Sequence, residues 1–257
     1  MEWEAYNINK NITERIQGMI KASNLRKVYG GDFVSVDNLS FDINKGEIVG
    51  FVGQNGAGKT TTIKMLTGIL RPTSGTVAIN GADIEKEPVK AKQAIGYIAD
   101  NPDIFLHLTG SEYVNFIADI YGVSEADRKK RIEQMADRFG MEDSLNKKML
   151  GYSHGMRQKI MVIGALVHKP PVWILDEPMT GLDPNAAYEL KKMMREHADE
   201  GNCVFFSTHV LEVAEKLCDR IIMIKKGESI YQGTLEELCE KHKNKSLEDI
   251  FIDMTQE

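Results

Sequence analysis

Three features of the sequence predict an α/β fold with a mainly parallel sheet, an N-terminal antiparallel sheet and an inserted helical subdomain. Three short runs, Ile48-Val49-Gly50-Phe51-Val52, Val172-Trp173-Ile174-Leu175 and Val204-Phe205-Phe206, are continuously apolar, and each leads through turn or polar residues into helix-like sequence. Strands buried on both faces of a parallel sheet read this way. Upstream, Phe33-Val34-Ser35-Val36 and Leu39-Ser40-Phe41-Asp42-Ile43 partly alternate apolar and polar residues, the pattern of a half-exposed antiparallel sheet. Between the first two apolar runs, about residues 109–167 are rich in helix formers and charge, with Tyr113, Phe116, Ile117 and Ile120 at helical spacing.

Along the chain, residues 1–20 stand apart as an extension. Ile8, Ile12, Ile16 and Ile20 recur every four residues, which predicts one face of a helix, and the acidic Glu2, Glu4 and Glu14 do not fit a secretory signal. Residues 21–233 form the main domain, and 234–257 read as a tail of two short helices split near Asn244. A net charge of −6 over 257 residues disfavours nucleic acid, which needs clustered Lys and Arg to displace counterions. Cys203, Cys218 and Cys239 show neither disulfide-framework nor zinc-site spacing, consistent with a reducing cytoplasm. The best apolar run, Ile160 to Val167, falls far short of the roughly 20 residues that span a bilayer.

The chemistry begins where the first apolar run ends. Gly53-Gln54-Asn55-Gly56-Ala57-Gly58-Lys59-Thr60 fits the pattern GxxxxGK[ST] between a strand and a helix, so the core is that of a phosphate-loop NTPase. The glycines let backbone N–H groups at Asn55, Gly56, Ala57 and Gly58 turn toward phosphate oxygens, and the helix that follows adds its positive end. Lys59 supplies a point charge, Thr60 a hydroxyl for Mg²⁺, and Thr61 a further phosphate contact. The second apolar run ends in Asp176-Glu177, which places two carboxylates at the carboxyl end of a strand, where ligands of open α/β sheets gather. Asp176 is placed to hold Mg²⁺ and Glu177 to polarise an attacking water.

What lies between and after these motifs decides the family. Tyr152-Ser153-His154-Gly155-Met156-Arg157-Gln158-Lys159 resembles the LSGGQ signature of ATP-binding cassette (ABC) proteins. Thr180-Gly181-Leu182-Asp183 resembles the family's D-loop, Ser207-Thr208-His209 its switch histidine, and Tyr29 its adenine-stacking aromatic. Ser246-Leu247-Glu248-Asp249-Ile250-Phe251 is similar to the tail of cassettes from bacterial drug, lipid and peptide exporters. Taken singly, each has a plain alternative. Asp183 before Pro184 is also a good helix N-cap, His209 a helix-start or core histidine, and Tyr29 a half-buried strand residue.

The resemblance implies an ATPase that uses ATP and Mg²⁺ and works as a head-to-tail dimer with a second cassette, alike or related. Ser153 and Gly155 of one subunit, with Asp183 nearby, would face the nucleotide of the other. Separate transmembrane permease subunits would receive the motion, placing the protein in the cytoplasm on the inner face of the membrane, with export as the direction. A soluble cassette acting on a non-membrane partner is the alternative. Pro102, Phe105 and Leu108 either meet the permease or pack against the helical subdomain. Three positions depart from the pattern, the first being Tyr152, which replaces the leucine of the signature. Asp100 stands where the family has a Mg²⁺-touching glutamine, and His154 replaces a signature glycine, either adding a titratable donor near phosphate or pointing to solvent.

Overall fold

The computed structural model describes residues 18–101, 103, 105–242, 245 and 247–256. The helix expected on Ile8, Ile12 and Ile16, the contact expected of Pro102, and Asn244 and Ser246 of the tail lie outside them. The chain enters through β1 (Ile20–Tyr29) and β2 (Phe33–Ile43), then β3 (Ile48–Val52) and α1 (Lys59–Leu66). β4 (Ser74–Ile79), β5 (Ala82–Asp83), α2 (Pro88–Gln93) and β6 (Ile95–Ile98) follow. Helices α3 (Gly110–Ile120), α4 (Glu125–Phe139) and α5 (His154–Leu166) fill the next stretch, with short 3₁₀ turns before α5. The core resumes with β7 (Val172–Leu175), α6 (Pro184–Asp199), β8 (Cys203–Thr208), α7 (Leu211–Leu217), β9 (Arg220–Lys225) and β10 (Glu228–Gly233). Two helices close the described chain, α8 (Leu235–Lys241) and α9 (Leu247–Gln256).

Two sheets form. One is antiparallel, in the order β2-β1-β4-β5; the other has six strands in the order β10-β9-β3-β8-β7-β6, parallel except for the β9–β10 pair. Every residue of β3, β7 and β8 is buried, which is why their sequences are continuously apolar rather than alternating. The two expected runs before Ile48 are one strand, β2. Ile20 overturns an expectation: it does not continue a helix but opens β1, fully buried between Ile43 and Ile79 of the flanking strands. Burial against two strands outweighs a four-residue spacing that nothing downstream sustains.

The core divides by sheet face. Between the sheets, Phe41 stacks on Phe205 at a centroid distance of 5.5 Å and Phe51 lies 5.3 Å from the same ring. On the other face α3, α5 and α6 bury Tyr113, Val114, Ile163, Trp173 and Met194 together. Helix ends follow local chemistry: Thr109 and Glu112 form a capping box for α3, Ser124 caps α4, and Gly140 closes α4 in a left-handed turn. Among the described residues no helix is long and apolar enough to cross a membrane.

The antiparallel sheet and the β9–β10 turn brace the loop before α1. Gly227 donates its N–H to the Ala57 carbonyl at 2.9 Å, and its own carbonyl accepts from the Asp37 N–H at 3.0 Å. Gly58 (φ 108) is so close to β2 that a Cβ there would stand 2.6 Å from the Ser35 carbonyl oxygen, so only glycine fits.

Candidate nucleotide site

Because β3, β8, β7 and β6 are parallel neighbours, the residues just past their carboxyl ends fall side by side. Those residues are the 53–58 loop, His209, Asp176-Glu177 and Asp100. Of these, Asn55, Gly56, Gly58, His209, Glu177 and Asp100 line a cavity of about 520 Å³ together with Phe33, Ser35, Lys59, Thr60, Thr61 and Thr180.

Lys59 is almost wholly buried, and its ammonium donates to the Gly53 carbonyl at 2.7 Å and the Gln54 carbonyl at 3.2 Å. It also lies 3.3 Å from Glu177 Oε1. Glu177 sits in the left-handed region (φ 48), held there by its N–H bond to Ser207 Oγ at 2.9 Å, and its Oε2 meets His209 Nδ1 at 3.0 Å. One carboxylate thus bridges a buried cation and a solvent-facing imidazole, an arrangement that orients it for proton work.

Asp176 is fully buried. Its Oδ1 accepts from Ser207 Oγ at 2.6 Å, while Oδ2 has no partner. Burial pushes this carboxyl above the usual range, and the charges of Asp100 and Glu177 push it further, against the lowering by Ser207 and Thr60. An orphaned buried oxygen beside a hydroxyl and two further carboxylates suits a hard divalent cation. Among the described residues no three acidic, histidine or cysteine groups cluster as a metal cage.

The expected aromatic is placed differently. Tyr29 ends β1 opposite Phe33, with Lys27 Nζ 5.4 Å from its ring centroid, and it does not line the cavity; Phe33, 65% exposed, does. Phe33 was hidden in the sequence because only the hairpin register puts it at the rim. Ser35, whose hydroxyl donates to Thr61 Oγ1 at 3.0 Å, and Ser207 gain their roles the same way, through pairing between distant segments.

The profile of the ABC transporter family matches residues 36–180, more than half of the chain. The chain belongs to the ABC transporter family. It is 38% identical over 219 residues to the ABC transporter ATP-binding protein NatA of Bacillus subtilis (strain 168), covering 85% of this chain and 89% of NatA. To the bacitracin transport ATP-binding protein BcrA of Bacillus licheniformis it is 36% identical over 226 residues, 88% of this chain and 72% of BcrA. Its fold matches the ATP-binding subunit of an ABC transporter with a TM-score of 0.87 at 32% identity, covering 92% and 99% of the two chains. A cassette dimer in a post-hydrolysis state with ADP and Pi matches at 0.76 and 27%, covering 84% and 99%. As an ABC cassette the chain binds ATP and hydrolyses it.

Ser153, Gly155 and Asp183 do not line the cavity. Ser153 caps α5 by accepting from the Met156 N–H at 3.2 Å, and Ser153 and His154 are exposed, Gly155 half-buried. Asp183 caps α6 through the Ala186 N–H at 2.9 Å and pairs with Lys159 Nζ at 3.1 Å. The cap bond, then Lys159, hold its carboxyl below the usual range. Capping and cassette motif coincide at both residues, so the plain and functional readings of Asp183 are compatible.

Proposed function

We propose that this chain is the ATP-driven subunit of a membrane exporter, working as a head-to-tail dimer beneath separate transmembrane subunits. The observation that carries the reading is a division of labour within the chain. The phosphate loop, Glu177 and His209 line one cavity, with Asp176 held by Ser207 next to Glu177, whereas Ser153, Gly155 and Asp183 lie outside it at mostly exposed positions. Each half lacks what the other holds, so two copies, or this chain and a related one, complete each other.

In this reading the 53–58 amides, Lys59 and Thr61 hold the phosphates, and Phe33 with Tyr29 offers the aromatic surface for the base. Thr60 and Asp176, with Asp100, hold Mg²⁺, which supplies positive charge against the phosphate oxygens. Glu177 accepts a proton from the attacking water while His209 fixes its orientation. Ser153 and Gly155 of the partner subunit add a hydroxyl and an N–H at the phosphate.

The membrane contact falls on the helical subdomain. Leu108 packs into the α3–α5 core, but Phe105, in a left-handed turn (φ 59), stays exposed. It stands 5.7 Å from the exposed Phe116, and Ile120 and Leu150 are exposed as well. Exposed large apolar side chains on one subdomain suit a protein partner. The tail helix, with Ile250 and Phe251 buried, and the relation to a bacitracin transport protein support export.

The deciding experiment is Glu177→Gln. It should keep ATP, lose turnover by about 100-fold or more, and run as a dimer in gel filtration with ATP but as a monomer without it. A variant that stays monomeric with saturating ATP, or turns over at the wild-type rate, would overturn the reading.

A further inference from the structure

The beginning of α5 grips the loop that carries Glu177, and His154 forms the outer edge of that grip. Gly155 comes so close to the loop that a Cβ on it would lie 2.7 Å from the Gly181 carbonyl oxygen. Gly181 (φ 77) is the reciprocal case, since a Cβ there would stand 2.9 Å from His154 Nε2 and closer still to Cδ2. The imidazole therefore rests directly against the Gly181 backbone, although the residue as a whole stays exposed. One turn further along the same helix face, Gln158 Nε2 donates to the Pro178 carbonyl at 3.3 Å and Lys159 Nζ pairs with Asp183 at 3.1 Å.

The gripped segment has little slack. Thr180 donates its N–H to the Glu177 carbonyl at 3.2 Å and Leu182 to the Met179 carbonyl at 3.3 Å, so residues 177 to 183 form a chain of short turns. Glu177 lies at one end of it, already in a left-handed backbone conformation. A displacement of Gly181 on α5 is thereby passed to the carboxylate that meets Lys59 and His209.

We propose that His154 is a positioning residue for ATP hydrolysis: its ring, seated on Gly181, fixes the 178–183 turn on α5 and with it the place of Glu177. The inference rests on the role given to Glu177 above. It differs from both sequence readings of His154, because what matters is the flat ring's bulk, not a proton and not exposure. A fraction of an ångström at a reacting group is enough to slow turnover without weakening substrate binding.

The test is a double-mutant cycle on the intact chain, with kcat, KM for ATP and melting temperature measured for His154→Gly, Gly181→Ala and the pair. His154→Gly should lower kcat by about tenfold with KM nearly unchanged. Gly181→Ala should lower it further, by about 30-fold, through collision with the ring on top of its backbone strain. Combined, the two should be no worse than Gly181→Ala alone, a coupling of about tenfold. His154→Phe, which restores a flat ring without a titratable nitrogen, should recover kcat and keep the wild-type pH profile from about pH 6 to 8.

Independent, multiplying effects in the cycle, or a His154→Phe enzyme as slow as His154→Gly, would overturn the proposal. Those results leave the assignment of Glu177 intact. If Glu177→Gln instead turns over normally, the catalytic reading fails whatever the cycle shows.

Discussion

The two ends of the parallel sheet both bury ionisable side chains and treat them in opposite ways. At the carboxyl ends of the strands, Lys59, Asp176 and Glu177 keep polar partners: the ammonium has two carbonyls and a carboxylate, and the carboxylates have Ser207 and His209. At the amino ends, His168 stacks on Tyr121 with a centroid distance of 3.6 Å and hydrogen-bonds the Ile95 carbonyl, while His197 sits edge-on to Trp173. Burial pushes both imidazoles down to about 4, with Arg131 adding to the effect at His168. Polar partners gather around the buried groups at the first end, and packing against aromatic rings dominates at the second. A lesion at the first end should therefore show in binding, and one at the second in stability.

Lys59→Ala tests the first half and should have the largest effect. ATP affinity should fall by about 100-fold, equivalent to about 2.7 kcal/mol, while the urea midpoint moves little because Glu177 keeps His209. Calorimetric titration that finds affinity within a few-fold of wild type would break the contrast.

The second half predicts a pH effect on stability with no counterpart in binding. Both histidines have folded values depressed below the ordinary 6.5, so the unfolded chain takes up protons first as pH falls. Their stabilising neutrality is complete above about pH 6.5 and is lost on the way down to about 4. Between pH 7 and 5 the unfolding free energy should drop by about 2 kcal/mol, discounted for partial exposure. His197→Gln should roughly halve the slope, and urea denaturation with an unchanged slope would contradict the assignment.

Asp183 is a third kind of site, charged yet exposed, and its effect should be the smallest. Removing its cap in Asp183→Ala should cost about 1 kcal/mol at neutral pH. Its folded value is depressed, so its contribution is present above the ordinary carboxylate range and disappears as pH falls through the folded value. Thermal melts of wild type and variant should converge in acid; a constant gap would mean that packing, not the charged cap, is responsible.

Legibility followed the same geography. The phosphate loop, Asp176-Glu177 and the buried strands could be read in the sequence because each is a contiguous run whose chemistry is set by its own neighbours. Asp183 could be read as a cap because Pro184 follows it. What could not be read depends on which distant backbones touch. Phe33 reaches the cavity through its pairing with Tyr29, Ser207 holds the Asp176 carboxylate and the Glu177 backbone N–H from the next strand, and His154 meets Gly181 only because α5 lies against the turn after β7. Ile20 was misread for the converse reason: a local spacing suggested a helix, and two strands on either side claimed the residue instead.

The bonds from Ala57 to Gly227 and from Gly227 to Asp37 reach beyond the site itself. Every cassette motif lies at or before His209, yet the backbone that closes the phosphate loop on its far side comes from the β9–β10 turn. A fragment ending soon after His209 would contain the full set of catalytic residues and lack the wall that shapes their most recognisable loop. Possession of the motifs and possession of the binding site are thus separable along this chain, and a shortened relative with a perfect phosphate loop need not hold a phosphate.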